Sequence, residues 1–183
     1  MSEVKYKYLP KYTYDDYKLW EGKWELINGI PYAMSPSPVF KHQKISGKIH
    51  YQLEQLLSKC KKCQALLPID WRIAGKDDDN VLQPDNLVIC NEVKGDYLTE
   101  TPEMIFEILS PSTALKDRHI KYEIYETQRV KYYIIVNIDS KIAEVFELKN
   151  EKFEKTIDAK DDVIKFELDS DCIIDFNFSE IWV

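Results

Sequence analysis

Apolar residues recur along the chain with two different periods, and the period of each stretch predicts the element that it forms. Between Val39 and Ser58 they return every third or fourth position, which predicts a long helix, and a second, charged helix is predicted from Asp117 to Gln128. A short helix is predicted from Thr13 to Trp20, because Thr13 is a good N-cap and acids follow it. The residues predicted to be buried in the two longer helices are Ile45, Ile49, Leu53, Leu56, Leu57, Ile120, Ile124 and Thr127.

Shorter apolar runs predict strands, because they alternate with polar residues or are continuous over only a few positions. Asn28-Gly29 between two such runs predicts a tight hairpin, and Ser35 to Pro38 is interpreted as a breaker before the long helix. The predicted strands outside the central motif are 23–28, 30–34, 63–74, 130–137, 142–148, 152–157 and 163–168, with Asp70 at the centre of the third. Helices and strands in this order predict an α/β fold with a mixed sheet.

Two further apolar runs each carry one acid. Asp85 opens the run from Pro84 to Cys90, and Glu107 lies inside the run from Met104 to Ser112, with apolar residues on both faces of the predicted strand. A carboxylate inside an apolar strand is costly to bury without a partner, and two acids on neighbouring strands repel each other unless a cation lies between them. The pattern therefore indicates a divalent metal site, since Mg²⁺ prefers oxygen ligands. The alternative is that one acid simply points outward from its strand.

The long predicted helix carries a polar stripe beside its apolar face. One interpretation is a surface that lies along a phosphate backbone, and the other is an ordinary solvated face. His42 lies in the first turn of the same helix, where a lone histidine is most often structural or exposed. The stripe consists of Lys44, Lys48, Gln52, Gln55 and Lys59.

The composition is that of a folded, acidic protein. The chain has 183 residues, a hydrophobic fraction of 44% and a net charge of −7, so one domain over residues 1–183 is expected. The apolar runs are too short to span a bilayer and the N-terminus lacks an apolar signal core, which favours a cytoplasmic protein with no membrane partner. The negative charge argues against a protein that coats nucleic acid without specificity, but a site built of carboxylates is itself acidic until metal binds.

Four cysteines are present, and two of them, Cys60 and Cys63, form a Cys-x-x-Cys motif. A zinc site would require a second pair or nearby histidines, and none follows at the usual spacing. A thioredoxin-like motif would open a helix after a strand, whereas this one follows a helix. We therefore expect all four cysteines to be reduced thiols without a special role.

Several of these residues together resemble a known family. The pair Pro84-Asp85, the run from Glu107 to Thr113, and then Asp117, Lys121 and Tyr125 at helical spacing resemble the Uma-two-type family of putative restriction endonucleases, which belongs to the PD-(D/E)XK nuclease superfamily. The run Glu-x-Leu-Ser-Pro-Ser-Thr followed by Asp, Lys and Tyr is far more specific than the Pro-Asp pair alone. The resemblance covers about residues 13 to 148 and includes 24–29, 35–38, His42 and 70–72.

The resemblance implies a restriction-endonuclease-like fold, which is a mixed twisted sheet flanked by helices, here with added antiparallel hairpins. It also implies an endodeoxyribonuclease that hydrolyses DNA phosphodiester bonds with Mg²⁺ or Mn²⁺, and a homodimer is a compatible assembly. Asp85 and Glu107 would hold the metal, together with the carbonyl oxygen of Ile108. The other site residues that the resemblance implies are His42, which would contact the scissile phosphate, and the acids Glu25 and Asp70, which would steer or bind metal.

The chain departs from the wider superfamily at the lysine. The superfamily places a lysine two residues after the second acid, where this chain has Leu109. Lys121 lies on the following helix, on one face with Asp117 and Tyr125, and its long stem allows the amine to reach the two acids. We therefore predict that Lys121 is the catalytic lysine. The alternative is a surface ion pair between Lys121 and Asp117, which would contribute only about 0.3–0.5 kcal/mol.

Two other functions are compatible with the sequence. One is a catalytically silent domain that binds nucleic acid or protein on a nuclease scaffold, since fold does not determine function. The retained acids and Lys121 argue against this, because a binding module has no use for them. The other is a metal-dependent hydrolase of a smaller phosphate ester, whereas a lysine-lined groove wide enough for a duplex would favour DNA.

Overall fold

The largest element of the fold is a six-stranded mixed sheet. The computed structural model describes residues 10–34, 39–73, 75, 78–93, 95–111, 113–169 and 171–183, and the breaker predicted at 35–38 lies outside them. The strands in chain order are β1 (Trp24–Ile27), β2 (Ile30–Ala33), β3 (Gln64–Leu66), β4 (Trp71–Arg72), β5 (Val81–Leu82), β6 (Asn86–Ile89), β7 (Met104–Ile108), β8 (Tyr132–Asn137), β9 (Ile142–Lys149), β10 (Lys152–Ala159), β11 (Val163–Glu167) and β12 (Ile173–Asn177).

The strands of the large sheet run in the order β10-β9-β8-β7-β6-β3. β7 pairs with β8 in parallel, and the other neighbours are antiparallel. A four-stranded antiparallel sheet, β2-β1-β5-β4, and the hairpin β11-β12 lie beside it. The predicted α/β fold with a mixed sheet and added antiparallel hairpins is therefore confirmed.

Four helical segments accompany the sheets in the described part of the chain, apart from a short 3₁₀ turn at Phe178–Glu180. They are α1 (Tyr14–Tyr17), α2 (Phe40–Leu57), a π-helical segment (Lys116–Lys121) and α3 (Tyr122–Thr127). The π-helical segment and α3 form the crossover between the parallel strands β7 and β8, a connection that parallel pairing requires. None of these helices has the length and apolar composition that crossing a bilayer requires.

The two faces of the large sheet are covered by different elements. On β7, Met104, Phe106 and Ile108 pack with α2 and with the hairpin β11-β12. Ile105 packs on the opposite side, in a cluster with Tyr125 of α3 and residues of the small sheet. Because side chains alternate along a strand, Glu107 points to this second side, and the prediction that its strand is buried on both faces is confirmed.

The buried face of the second helix differs from the prediction. Asp117, Lys121 and Tyr125 are buried, whereas Ile120 and Ile124 are half-buried and Thr127 is exposed. The helix therefore turns its charged residues toward the sheet. The apolar pattern was misleading here, because the partner that this helix packs against includes the buried acids Glu25 and Glu107.

The strand predicted over 63–74 is divided into β3 and β4, which belong to different sheets. Pro68 lies between them, and a proline cannot donate the hydrogen bond that a continuous central strand requires. Asp70 consequently lies in the connection that precedes β4 and not at the centre of a strand.

Part of the polar stripe of α2 is covered by the C-terminal segment. Lys48 Nζ donates a hydrogen bond of 2.5 Å to the carbonyl oxygen of Trp182. The buried side chain of Gln52 accepts from the backbone N–H of Asn177 at 2.6 Å and donates to its carbonyl oxygen at 3.1 Å. Lys48 and Gln52 are thus bound to the C-terminal segment, whereas Lys44, Gln55 and Lys59 are exposed, so the stripe is neither wholly free nor purely solvated.

The expectation of reduced thiols is wrong for this structure. Cys60 is disulfide-bonded to Cys172, and Cys63 to Cys90. The bonds join residues 112 and 27 positions apart in sequence. Local motif spacing could not reveal them, because the folded sheet is what brings the four residues together.

Candidate active site

Glu107 and Lys121 meet at the centre of the site. Lys121 is only 3% exposed, and its Nζ lies 2.7 Å from Glu107 Oε1 and 2.8 Å from Glu25 Oε1. Tyr125, which lies in α3 four residues after Lys121, donates a hydrogen bond of 2.6 Å to the same oxygen of Glu107. The alternative of an exposed ion pair between Lys121 and Asp117 is therefore wrong, since the amine points inward to the strand acid.

A second lysine, Lys116, forms an ion pair with the Oε2 atom of Glu25. Lys116 and Lys121 are five residues apart, which on an α-helix would turn their side chains about 140° away from each other. In a π-helix the hydrogen bonds run from residue i to i+5, so residues at this spacing lie on the same side. A prediction that assumes the α-helical period of 3.6 residues could not place Lys116 beside Lys121, and nothing in the sequence marks the π turn.

Asp85 is held at the end of the sheet next to β7. Its Oδ2 accepts hydrogen bonds from the backbone N–H of Ile108 at 2.8 Å and from His42 Nε2 at 3.1 Å. Because Ile108 directly follows Glu107, these contacts bring the two predicted metal-binding acids to neighbouring positions. His42 reaches the site from the first turn of α2, and Asp85 keeps the pKa of His42 raised although burial alone would lower it.

Asp117 is a further acid in the cluster. It is 1% exposed, and its Oδ1 atom has no hydrogen-bond partner, the nearest cation being Lys121 Nζ at 3.8 Å. Burial raises the pKa of Asp117, and Lys121 offsets this only in part. The sequence motif includes Asp117, but its spacing to Lys121 suggested a surface partner and gave no sign of a buried site.

The cluster contains more carboxylates than cations. Burial raises the pKa of Glu107 well above its usual value, and the neighbouring acids Asp117, Asp85 and Glu25 raise it further against the effect of Lys121. Burial lowers the pKa of Lys121, but Glu107, Glu25 and Asp117 raise it well above its usual value, so Lys121 is protonated at neutral pH.

Of the two further acids, Glu25 lies inside the charged cluster and Asp70 lies at its edge. Glu25 is fully buried, and burial raises its pKa. Lys121 and Lys116 together lower the pKa by more than burial raises it, so the net change is downward. Its Oε1 also accepts from the backbone N–H of Gln83 at 3.0 Å. Asp70 accepts from Tyr17 OH at 3.0 Å and from the side chain of Gln83, so Gln83 connects it to Glu25. Asp70 thus lies at the edge of the charged cluster.

The donor atoms near Asp85 suit a hard cation. The acceptor atoms that point into the cluster are carboxylate oxygens, which Mg²⁺ and Mn²⁺ prefer as ligands. One of them, the unpaired Oδ1 of Asp117, is a buried acceptor that a cation would satisfy. Among the described residues no group of three or more His, Cys, Asp or Glu side chains is already arranged around a common metal position. The chemistry of the site fits a divalent metal, and its ligand set stays a prediction.

A mixed sheet with a Pro-Asp pair before one strand, an acid within the next, and a lysine that reaches this acid defines a restriction-endonuclease-like nuclease. The family model described as "Uma2: Putative restriction endonuclease" matches residues 14–168, which is most of the chain. The protein therefore belongs to this family, and the predicted membership is confirmed.

A solved structure has a similar fold. It is the 1.96 Å crystal structure of a putative nuclease belonging to DUF820 from Anabaena variabilis ATCC 29413. The TM-score is 0.73 at 16% sequence identity, with 93% of this chain and 97% of the other covered, so the likeness concerns the fold. No curated protein matches the sequence.

Proposed function

We propose that the protein is a metal-dependent endonuclease that hydrolyses phosphodiester bonds in DNA, as one domain over residues 1–183 of a cytoplasmic protein. The observation that carries the proposal is the position of the Lys121 amine, 2.7 Å from Glu107 Oε1. Leu109 occupies the position of the superfamily lysine, and Lys121 supplies an amine at the same acid from a different element. A buried lysine among four acids is costly for stability, so a binding module would have no reason to keep it.

Asp85, Glu107 and the carbonyl oxygen of Ile108 would hold Mg²⁺ or Mn²⁺, with Asp117 as a further oxygen donor. The metal would polarise a phosphoryl oxygen and lower the pKa of a bound water. His42 donates to Asp85 and contacts the phosphate from the start of α2. The hydrogen bond from Ile108 N–H fixes one oxygen of Asp85.

Lys121 acts as a charged donor in this proposal. Because its pKa is raised, it holds its proton at neutral pH and cannot serve as the base that deprotonates water. Its role is to orient the water and to stabilise the negative charge that develops on the phosphate oxygens. Glu25 positions this amine and keeps it protonated, and Lys116 offsets the remaining charge of Glu25.

Incubation of the purified protein with supercoiled plasmid and with single-stranded circular DNA tests the proposal. We expect cleavage with Mg²⁺ or Mn²⁺ and none with a chelator. Asp85→Asn, purified in the same way, is the matched control, because it removes one charge at nearly constant volume and reveals any contaminating nuclease. Hydrolysis of a phosphate monoester with both DNA substrates left intact would favour the smaller-ester alternative. Absence of both cleavage and Mn²⁺ binding by calorimetry would reject the proposal.

A further inference from the structure

All four cysteines of the chain lie at one end of the sheet, each next to a different element. Cys60 follows α2, Cys63 precedes β3, Cys90 follows β6, and Cys172 precedes β12. Ile89 is paired with Gln64, so the antiparallel register continued by one residue sets Cys90 opposite Cys63. The second pair of cysteines that a zinc motif needs, Cys90 and Cys172, thus comes from two separate elements and not from a second local motif.

The two disulfides adjoin each other. Cys63 Sγ lies 3.6 Å from the carbonyl oxygen of Asp169, and the same oxygen accepts the backbone N–H of Cys172 at 3.3 Å. Cys63 and Cys172 belong to different disulfides, and Cys60 is only three positions from Cys63. All four sulfurs therefore converge on one small region.

The surroundings of this region combine an apolar core with a cluster of surface lysines. Cys63, Cys90 and Cys172 are buried, Cys60 is half-buried, and all four belong to or pack against the core cluster on the α2 side of the sheet. The surface depression above them is lined by Lys59, Lys61 and Lys62 together with Asp171. Nearby lysines lower the pKa of cysteine thiols, and they offset the double negative charge of a zinc ion that is bound by four thiolates.

We infer that in the reduced protein these four sulfurs form a tetrahedral zinc site, with Cys60, Cys63, Cys90 and Cys172 as its ligands. Structural zinc sites combine a Cys-x-x-Cys pair with two further cysteines, and they leave no open position for water. The inference is independent of the proposed nuclease activity. The disulfide-bonded form presents no free thiol among the four cysteines.

The chemistry that connects the two forms is simple. A phosphine gives two electrons to each disulfide and becomes a phosphine oxide with oxygen from water, and two thiols remain. Zinc binding then releases the thiol protons. In a cytoplasmic protein thiols are kept reduced, so the zinc-bound form is the one expected there.

The zinc ion would connect the elements that carry the candidate active site. α2 carries His42 in its first turn and Cys60 just beyond its end, while Asp85 precedes β6 and Cys90 follows it. A link at one end of both elements keeps them together, so that His42 and Asp85 meet at the other end.

The test is to reduce the full-length protein with a phosphine, remove the reductant without oxygen, and titrate Zn²⁺ against a chromophoric chelator. We expect one Zn²⁺ per chain, and Co²⁺ in its place should give the intense absorption bands of tetrahedral thiolate coordination. Cys90→Ser should weaken Zn²⁺ binding at least 100-fold. Asp171→Asn, in the same depression, should leave it unchanged.

Thiol protection decides the question even if Cys90→Ser does not fold. In the wild-type protein Zn²⁺, but not Mg²⁺, should protect four thiols from alkylation, counted by mass spectrometry. The inference is overturned if the reduced protein binds no Zn²⁺ in competition with the chelator, or if it shows no thiolate bands with Co²⁺. It is also overturned if folded Cys90→Ser binds Zn²⁺ as tightly as the wild type.

Discussion

Lys121 is the residue on which both stability and the proposed chemistry depend most. Its buried amine faces Glu25, Glu107 and Asp117, with distances of 2.7 to 3.8 Å to the nearest oxygens. Removing one partner of a buried ionic network leaves the others charged and unpaired, which typically costs 3–5 kcal/mol. Because these acids are buried, removal of the amine is expected to affect folding as well as the proposed chemistry.

Lys121→Met should therefore lower both the free energy of unfolding and the rate of DNA cleavage. We expect a loss of about 3–5 kcal/mol in urea denaturation and a fall in cleavage of roughly a hundredfold or more at a temperature where the variant is folded. Lys165→Met, at an exposed position on β11, is the matched control and should change neither quantity. Normal cleavage by folded Lys121→Met would show that the amine has only a structural role.

Sequence reasoning at this scale found the acids and the lysine but not their full environment. Asp85, Glu107 and Lys121 were identifiable because charged residues in or near apolar strands are unusual and because their motif is specific. Lys116 was missed because its alignment with Lys121 depends on a π turn. The buried position of Asp117 was missed because its spacing to Lys121 is equally typical of a surface ion pair.

At the scale of elements, the helix that carries Lys121 is attached to the large sheet by charged contacts. Arg118 binds Glu144 of β9, and the other oxygen of Glu144 lies 3.2 Å from Lys155 Nζ on β10. The hydrogen bond from Arg118 holds the pKa of Glu144 below its usual value. A carboxyl group with a lowered pKa stabilises the fold above its unfolded pKa, and this contribution is lost as the pH falls through the folded pKa.

Glu144→Gln should consequently destabilise the protein at neutral pH but not in acid. We expect a difference from the wild type of at most about 1 kcal/mol at pH 7, because the pair is partly exposed to solvent. The difference should diminish toward pH 3, because the contribution of the charge is lost as the pH falls through the lowered folded pKa of Glu144. Guanidinium denaturation at the two pH values measures it, with Glu154→Gln on β10 as an exposed control. A difference of equal size at both pH values would mean that packing, not charge, connects the helix to β9.

Element prediction was accurate where one physical signal dominated and failed where two competed. The apolar run of β7 and the 3.6-residue period of α2 gave the correct type of element and, for α2, core residues such as Ile45 and Leu53. The helix after β7 was oriented incorrectly, because ion pairing with buried acids outweighed the burial of Ile120 and Ile124. Pro68 was the available signal that 63–74 could not be one strand.

For the whole molecule, the net charge of −7 means that any DNA contact depends on local basic residues. Lys44 and Lys48 are both on α2 and were equivalent in the sequence. In the structure Lys44 is exposed, while Lys48 is bound to the carbonyl oxygen of Trp182 and fastens the C-terminal segment. The two residues therefore separate DNA contact from structural stability.

Lys44→Gln should reduce the slope of log Kd for DNA against log salt by about one, as expected for the loss of one phosphate contact. Lys48→Gln should leave this slope unchanged and lower the free energy of unfolding by about 1.5–3 kcal/mol, the usual contribution of a hydrogen bond to a charged group. DNA-binding titrations measure both variants, with a chelator present so that the DNA is not cleaved during the measurement. If both variants keep the wild-type slope, α2 does not contact the phosphate backbone.

The order of the large sheet and the pairing of the cysteines belong to this largest scale and were the least accessible from sequence. Residues 112 positions apart, such as Cys60 and Cys172, become neighbours only after α2, β6 and the hairpin β11-β12 have packed. Composition suggested a reducing environment and so argued for isolated thiols. It could not reveal that all four sulfurs converge.

The π-helical segment has a consequence for insertions and deletions. A π turn contains one residue more than an α turn, so a chain with one residue fewer between the two lysines would form an ordinary α-helix there. Lysines four apart on an α-helix lie on the same face, just as Lys116 and Lys121 do at a spacing of five. Both amines would then still reach Glu25, and the spacing from Lys121 to Tyr125 would stay at four. A sequence pattern for this site should therefore allow a gap of either length between the lysines.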